Sequence, residues 1–506
     1  VKKKWLVYLS LALCFSISLL FRFDQLKPEI GCEEQTYILT LQTVEIWRTQ
    51  GLVQCHFTPM WTYDNTGDKH FAYYKRLEDT KGDNYYVSFP PLAFWVAYIA
   101  LSPFDLVNGK LILQLLNLLL HFVSALLVYF IISKLFAHKY QGVFVPAFVA
   151  FVVYVFMPVN LYLHTDIFFP ETIAQVFWLT ALYLSIDFFA TPKHIISKEK
   201  TLFFLACIIL FLYAEWIAVF FVAILLCVFY RNRKFGHNKF LFLHVFLAFI
   251  SVAGLIFLQY ASINGATELI RAMGLRFLER SGFFGETYSS MGVNIFNLSS
   301  IGIFIKNLHK AFYGMGYFIL LCTLVVFITN RKRLSALFKR HKYILLLATT
   351  PVFLHALIFF NANALHLLLM ARWTVPLAIL SGFLCFAVID NHRKLWVLSV
   401  LMFVLCAYSF YFYRSNFSKK IDNEQIDKIA AYIKTNAVAE ASVFVITDLT
   451  CGEPEKHLTY MSKRNVIRIH NAAEADSLLR INNKIWGLIV QHKDFEIASK
   501  DVHIIQ

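Results

Sequence analysis

Long apolar runs set the pattern of this chain. They cover 5–23, 111–136, 142–163, 171–190, 240–260, 311–329, 343–360, 373–390 and 395–413. As helices most of them match a hydrocarbon layer of about 30 Å. Strands of a membrane barrel would alternate polar and apolar residues in short segments, so the runs predict helices. Two stretches need a further argument. Segment 92–104 is apolar over only 13 residues, about 20 Å as a helix. Segment 201–230 has 30 residues, too long for one ordinary span and short for two, and Ala214-Glu215-Trp216 interrupts it.

The basic residues decide both. Lys and Arg gather at 2–4, 134–139, 193–200, 231–239, 331–342 and 393–394, between apolar runs. That is the positive-inside pattern, which sets topology. If 92–104 crossed the membrane, every later cluster would fall outside; if 201–230 crossed once, the clusters from Arg231 onward would. All clusters lie inside when 92–104 rests at the membrane surface and 201–230 is a helical hairpin with Glu215 near its outer end. The expectation is a polytopic α-helical membrane protein of about eleven membrane helices, N-terminus cytoplasmic and C-terminus outside. Segment 5–23 follows three lysines without a clear small-x-small cleavage site, so it is expected to be a first span.

Composition agrees with that class. Of 506 residues, 58% are hydrophobic, only 16% are charged, and Phe alone supplies 52. Too few charges remain to cover soluble domains of this total size. The net charge of +15 is spent on topology, so no nucleic-acid partner is expected. Within module 1–413, residues 24–110 form a large first outer loop and 261–310 a second. From 414 to 506 the charges become frequent and the apolar runs short. Helical patterns at 426–434 and 472–481 alternate with strand-like runs at 442–447, 465–469 and 485–490, which predicts a small α/β domain outside the membrane. Cys32 and Cys55 share the first outer loop, an oxidising place where a disulfide is open. No Cys or His spacing makes a zinc site.

The candidate chemistry lies on the outer side. Gly31-Cys32-Glu33-Glu34-Gln35-Thr36-Tyr37 opens an amphipathic helix just beyond the first span. Paired carboxylates there suit a general base at the mouth of a cavity, and equally suit acids favouring a helix macrodipole. The same loop later reads Phe89-Pro90-Pro91-Leu92-Ala93-Phe94-Trp95, where Pro-Pro starts a helix and aromatics place it at the interface. Beyond the third span come His164-Thr165-Asp166 and Pro170-Glu171, which also fit helix capping. Outer cations run against positive-inside: Arg271, Arg276 and Arg280 in one loop, His366 and Arg372 in another. Each alone suits snorkelling to headgroups; several together suit an anion site, since Arg binds phosphate bidentately.

Taken in order, the acidic pair, the amphipathic helix, the Pro-Pro-Leu-x-x-Trp surface helix, the hairpin, the later outer loop and the α/β tail resemble the GT-C glycosyltransferases. Within them the chain is most similar to the protein-mannosyltransferase-like and aminoarabinose-transferase-like branch, often called family 39. The resemblance implies inverting transfer of a sugar from a polyprenyl-phosphate donor to an acceptor lipid, glycan or protein at the outer face of a bacterial inner membrane. It implies a loop carboxylate as base, Glu34 first and Glu33 second where the family has Asp-Glu, with Asp166 as a third acid. It implies donor-phosphate contacts from Lys110, where the family has Arg, and from Arg276, Arg280, His366 and Arg372. Tyr37, His164, Glu171 and Glu215 are expected at the substrate cavity, Glu215 standing where the family has Lys or Gly. Such a donor carries its own activation, so no cofactor is required; no phosphate-cradling Gly loop occurs, and the acids leave a divalent metal open. The alternatives are an O-antigen-type ligase or polymerase, whose large outer loop would come late in the chain, and a transporter or flippase for lipid-linked sugar. The latter calls for mid-membrane charge and usually an internal repeat; His121 and His244 are its interior candidates and no repeat is seen.

Overall fold

Where they are described, the expected apolar runs are largely helical in the structure, a computed structural model that describes residues 2–31, 34–65, 69, 77–136, 143–190, 197–231, 236–283, 293–388, 392–417, 423–438, 440–446, 453–481, 487–491 and 504–505. Five of the described helices are long and apolar enough to cross a membrane, or up to eight if each of three bent pairs is one span. Trp5–Leu20, Leu92–Leu101 and Ile217–Arg231 are shorter apolar helices. The bends have local causes. Met157 precedes Pro158 and is extended (φ −61°, ψ 124°), because a residue before proline avoids the helical region. One helix therefore ends at Phe156, and Pro158 opens the next at 56° to it. In the interrupted run 201–230, Glu215 is extended (φ −163°, ψ 147°) and separates helices Lys198–Ala214 and Ile217–Arg231. Helix Gly236–Ser281 breaks at Asn264–Gly265, where φ of +85° calls for a residue without a Cβ.

The chain divides into two compact units. One comprises residues 1–26, 114–256 and 275–419, the other 27–113, 257–274 and 420–506. In the first, helix Thr374–Ala387 packs along Phe144–Phe156, and Lys342–Ile358 along Ile217–Arg231. Gly382 permits a close approach to helix Gly109–Phe136, since a Cβ would meet Ile132 at 2.9 Å.

The second unit joins the long loop after the first helix to the tail. Tail strands Val466–Arg468, Ser442–Ile446 and Gly487–Gln491 are parallel, and Ile504–Ile505 adds an antiparallel edge. Alternate side chains face opposite sides of this sheet. Val443 and Val445 pack with Ile426, Ile429, Ile433 and Leu458 of helices Glu424–Asn436 and Pro454–Ser462. Phe444 and Ile489 pack with Ala475 and Leu479 of helix Ala472–Ile481. The expected strands and outer helices of the tail are present; Pro454–Ser462 is an additional helix. In the loop, helix Gln35–Gln50 buries Tyr37, Ile38, Leu41, Val44 and Trp47. Tyr63 is tied to the tail through Asn465, whose Oδ1 accepts its N–H at 2.9 Å and whose Nδ2 donates to its carbonyl at 3.1 Å.

Candidate functional site

In the second unit, Glu34 stands immediately before helix Gln35–Gln50, and its carboxylate turns back from the helix. Glu34 Oε2 accepts the Gly31 N–H at 2.6 Å and faces Lys110 Nζ at 2.7 Å. Lys110 sits in the first turn of helix Gly109–Phe136 and also donates to the Glu29 carbonyl at 2.7 Å. Asn423 Nδ2 donates to the next carbonyl, that of Ile30, at 2.7 Å. Three successive residues before the acid are therefore held through their backbone. The helix bearing Lys110 approaches closely because its first residue is Gly109, where a Cβ would lie 2.6 Å from Leu41 Cδ2. Glu34 and Lys110 are both largely buried, at 12% and 4% side-chain exposure, so their attraction is only weakly screened. Tyr37 is wholly buried.

The first unit holds two further polar clusters. Arg372 is the centre of one. Its Nη2 lies 2.7 Å from Glu215 Oε1 and 3.4 Å from Glu171 Oε1, and its Nη1 lies within 2.7 and 2.8 Å of the ring nitrogens of His355. Asn363 Nδ2 lies 3.1 Å from His355 Nδ1. Arg280 is close enough for its charge to act on Glu171, Glu215 and His355. Glu215 also caps a helix, with Oε2 accepting the Ile217 N–H at 3.1 Å. Glu171 Oε2 and Arg372 Nε are buried without a hydrogen-bond partner among the described residues. Such atoms are costly unless a group outside the chain meets them.

The other cluster surrounds Asp166. The Tyr413 hydroxyl donates to Asp166 Oδ2 at 3.3 Å and also contacts Gln25 Oε1. Arg22 is fully buried; its Nη2 donates to Ser18 Oγ at 2.8 Å, its Nη1 lies 3.2 Å from His121 Nδ1, and the Asp166 charge acts on it. His121 and His164 stack with ring centres 4.4 Å apart. Among the described residues no group of three or more His, Cys, Asp or Glu could hold a metal ion.

No family model and no curated protein matches the sequence. Solved structures do match. The oligosaccharyltransferase of Archaeoglobus fulgidus, in complex with Zn and sulfate, is 12% identical, with a TM-score of 0.61 over 95% of this chain and 67% of that one. The archaeal oligosaccharyltransferase AglB of the same organism, with an inhibitory peptide and a dolichol-phosphate, is 13% identical, with a TM-score of 0.60 over 96% and 69%. ArnT from Cupriavidus metallidurans bound to undecaprenyl phosphate is 11% identical, with a TM-score of 0.56 over 100% of this chain and 98% of that one. These neighbours are glycosyltransferases of the GT-C type. The chain has the GT-C fold.

Within this GT-C fold, several residues singled out by sequence are brought together, though not always with the expected partners. Glu34 meets Lys110. Arg372 meets Glu171 and Glu215, so its charge faces two carboxylates. Arg276 pairs with Glu279 on its own helix at 2.7 Å. His164 lies on the ring stack near Gln175, 3.4 Å from its Oε1. His366 is exposed between helices Phe360–Leu365 and Leu367–Met370. Glu33 and Cys32 lie outside the described residues. Sequence reasoning missed Arg22, His355, Tyr413 and Asn423. The signal for Arg22 was present, a cation just beyond the first apolar run; Asn423 gave none.

Proposed function

We propose that this chain transfers a sugar from a polyprenyl-phosphate-linked donor to an acceptor at the outer face of a bacterial inner membrane, with inversion, and that Glu34 is the general base. One observation carries the reading: a largely buried carboxylate, oriented by the Gly31 N–H and Lys110, ends a backbone segment pinned at Glu29, Ile30 and Gly31. Orientation of this kind is what a general base requires. The polyprenyl phosphates in the neighbours support the donor class, and the peptide bound to AglB supports an acceptor in general terms.

In the step we infer, the acceptor hydroxyl or amine gives its proton to Glu34. Its lone pair forms the bond to the anomeric carbon from the face opposite the phosphate. The bond from that carbon to the phosphate oxygen breaks, and its electron pair leaves with the polyprenyl phosphate. Protonation removes the charge that Lys110 faces, so the ammonium becomes available as negative charge develops on the leaving group. No step depends on a metal ion.

The test follows release of polyprenyl phosphate from labelled lipid-linked sugars with a membrane-extract acceptor. Glu34→Gln is expected to lower turnover by about 10²–10⁴-fold while the lipid still binds. Equal turnover in Glu34→Gln would remove this carboxylate and move attention to Asp166. Protein-dependent movement of the lipid across liposomes, with no release by wild type, would sink the transferase reading in favour of a flippase.

A further inference from the structure

The basic cluster 331–342 is not a loop. It is helix Arg331–Arg340, which joins the end of apolar helix Met315–Thr329 to the start of Lys342–Ile358 and lies at 83° to the latter. With Lys342–Ile358 crossing the membrane, a connector at that angle to it would lie near the plane of the interface. Its sequence suits that position. Leu334 and Leu337 are buried, and Phe338 packs on Phe383 with ring centres 6.0 Å apart. These residues, three and four apart, form one stripe. His341 just beyond the helix adds an edge contact to Phe383 at 5.7 Å. The helix is thus fixed on the protein by its apolar side.

The opposite side is bare and cationic. Lys332, Ala336, Lys339 and Arg340 recur at spacings of four, three and one, and all are exposed, as is Arg331. No acid occurs between 331 and 342. Among the described residues none of Arg331, Lys332, Lys339 and Arg340 forms an ion pair, whereas Arg276, Arg372, Lys110 and Lys134 all do. Arg331 and Arg333 rest over the rings of Phe327 and Phe386, at 5.5 and 5.4 Å. Their stems therefore lie along apolar surface, as snorkelling side chains at an interface do.

We propose that helix Arg331–Arg340 is a docking surface for anionic phospholipid headgroups. Setting topology requires only that the charges stay on one side of the membrane. Holding them on an apolar-anchored helix that carries no acid of its own does more, because it keeps several like charges together that repel unless phosphate groups lie between them. A zwitterionic headgroup carries its own cation and satisfies this surface poorly. The inference needs the chain to sit in a membrane but does not depend on the transfer reaction.

The test uses the full chain purified in detergent and in lipid nanodiscs. Bound phospholipid is counted by native mass spectrometry after exchange into phosphatidylglycerol or phosphatidylcholine. Wild type is expected to retain phosphatidylglycerol preferentially. The variant Arg331→Gln/Lys332→Gln/Lys339→Gln/Arg340→Gln is expected to lose that preference, by about fivefold per cation removed at low salt. Arg331→Lys/Arg340→Lys keeps the charge and should keep most of the preference. A tail control, Lys428→Gln/Lys434→Gln, should leave it unchanged. Unfolding midpoints in phosphatidylcholine check that the quadruple variant is folded. A folded quadruple variant with undiminished preference, or a tail control that loses it equally, would overturn the proposal. Neither result touches polyprenyl phosphate release, so the two readings fail separately.

Discussion

Removing the charge of Arg372 should destabilise the first unit more than removing either of its carboxylate partners. At an effective dielectric of about 20, unit charges at the two observed separations attract by roughly 6 and 5 kcal/mol before desolvation is subtracted; the separations are 2.7 Å to Glu215 and 3.4 Å to Glu171. Desolvation offsets most of that gain, so the sum is no measure of net stability. The cost of breaking the cluster is better defined. Arg372→Met leaves two buried carboxylates facing each other and takes the donor from His355, which should cost about 3–5 kcal/mol. Glu215→Gln keeps an oxygen for the guanidinium and leaves Arg372 with Glu171, costing about 1.5–3 kcal/mol. Glu171→Gln should cost about 1 kcal/mol or less, since its contact is longer and its other oxygen has no partner among the described residues. The double variant Glu215→Gln/Arg372→Met should recover about 1–2 kcal/mol relative to Arg372→Met alone, because one orphaned charge is gone. Unfolding in detergent, followed by tryptophan fluorescence, gives the order. Glu171→Gln proving worse than Glu215→Gln, or the double variant showing the simple sum of its parts, would refute the shared-arginine account.

Other consequences are more local. Asn423→Ala removes the donor to the Ile30 carbonyl and should lower turnover about tenfold through misplacement of Glu34, with the lipid-phosphate release assay as the check and unchanged donor binding as its companion. Lys69 donates to Asp64 and Asp83 at 2.7 and 3.1 Å; burial alone would lower its pKa, but these hydrogen bonds outweigh it and raise it. A raised lysine stabilises fully below its unfolded value of about 10.4 and loses that contribution as pH rises through the folded value. Lys69→Met should therefore flatten the fall in unfolding midpoint between pH 9 and 12, and an unchanged alkaline limb would count against the pairing. Arg464 donates to the carbonyls of Ala437, Val438 and Ala441 at 3.0, 2.8 and 2.6 Å, the first of them just beyond helix Glu424–Asn436. Arg464→Lys cannot span all three and should cost about 1.5–3 kcal/mol, read from the unfolding midpoint.

What the sequence could reveal follows from the range of the forces involved. Apolar runs and turn breakers act locally, so the helices were legible, as was the break at Ala214-Glu215-Trp216. The strand-like run at 442–447 was legible too, and the two faces of strand Ser442–Ile446 meet different helices. Helix Pro454–Ser462 escaped because its apolar positions are sparse; Leu458 supplies its buried aliphatic contact with the sheet. Partner choice is not local. Glu171 and Glu215 could both be read as acids at helix starts, where a carboxylate meets free N–H groups and the positive end of the dipole, and Glu215 does accept the Ile217 N–H. Their common partner lies 201 and 157 residues away. Arg372 looked like a cation waiting for a lipid phosphate because a buried arginine and an anion-binding arginine have the same sequence environment. The same limit applies to Glu34 and Lys110, which sequence placed separately as base and phosphate contact. Their 2.7 Å approach makes the state of one depend on the other. A proton moving onto Glu34 must therefore change what Lys110 can bind, and no reading of either residue alone contains that coupling.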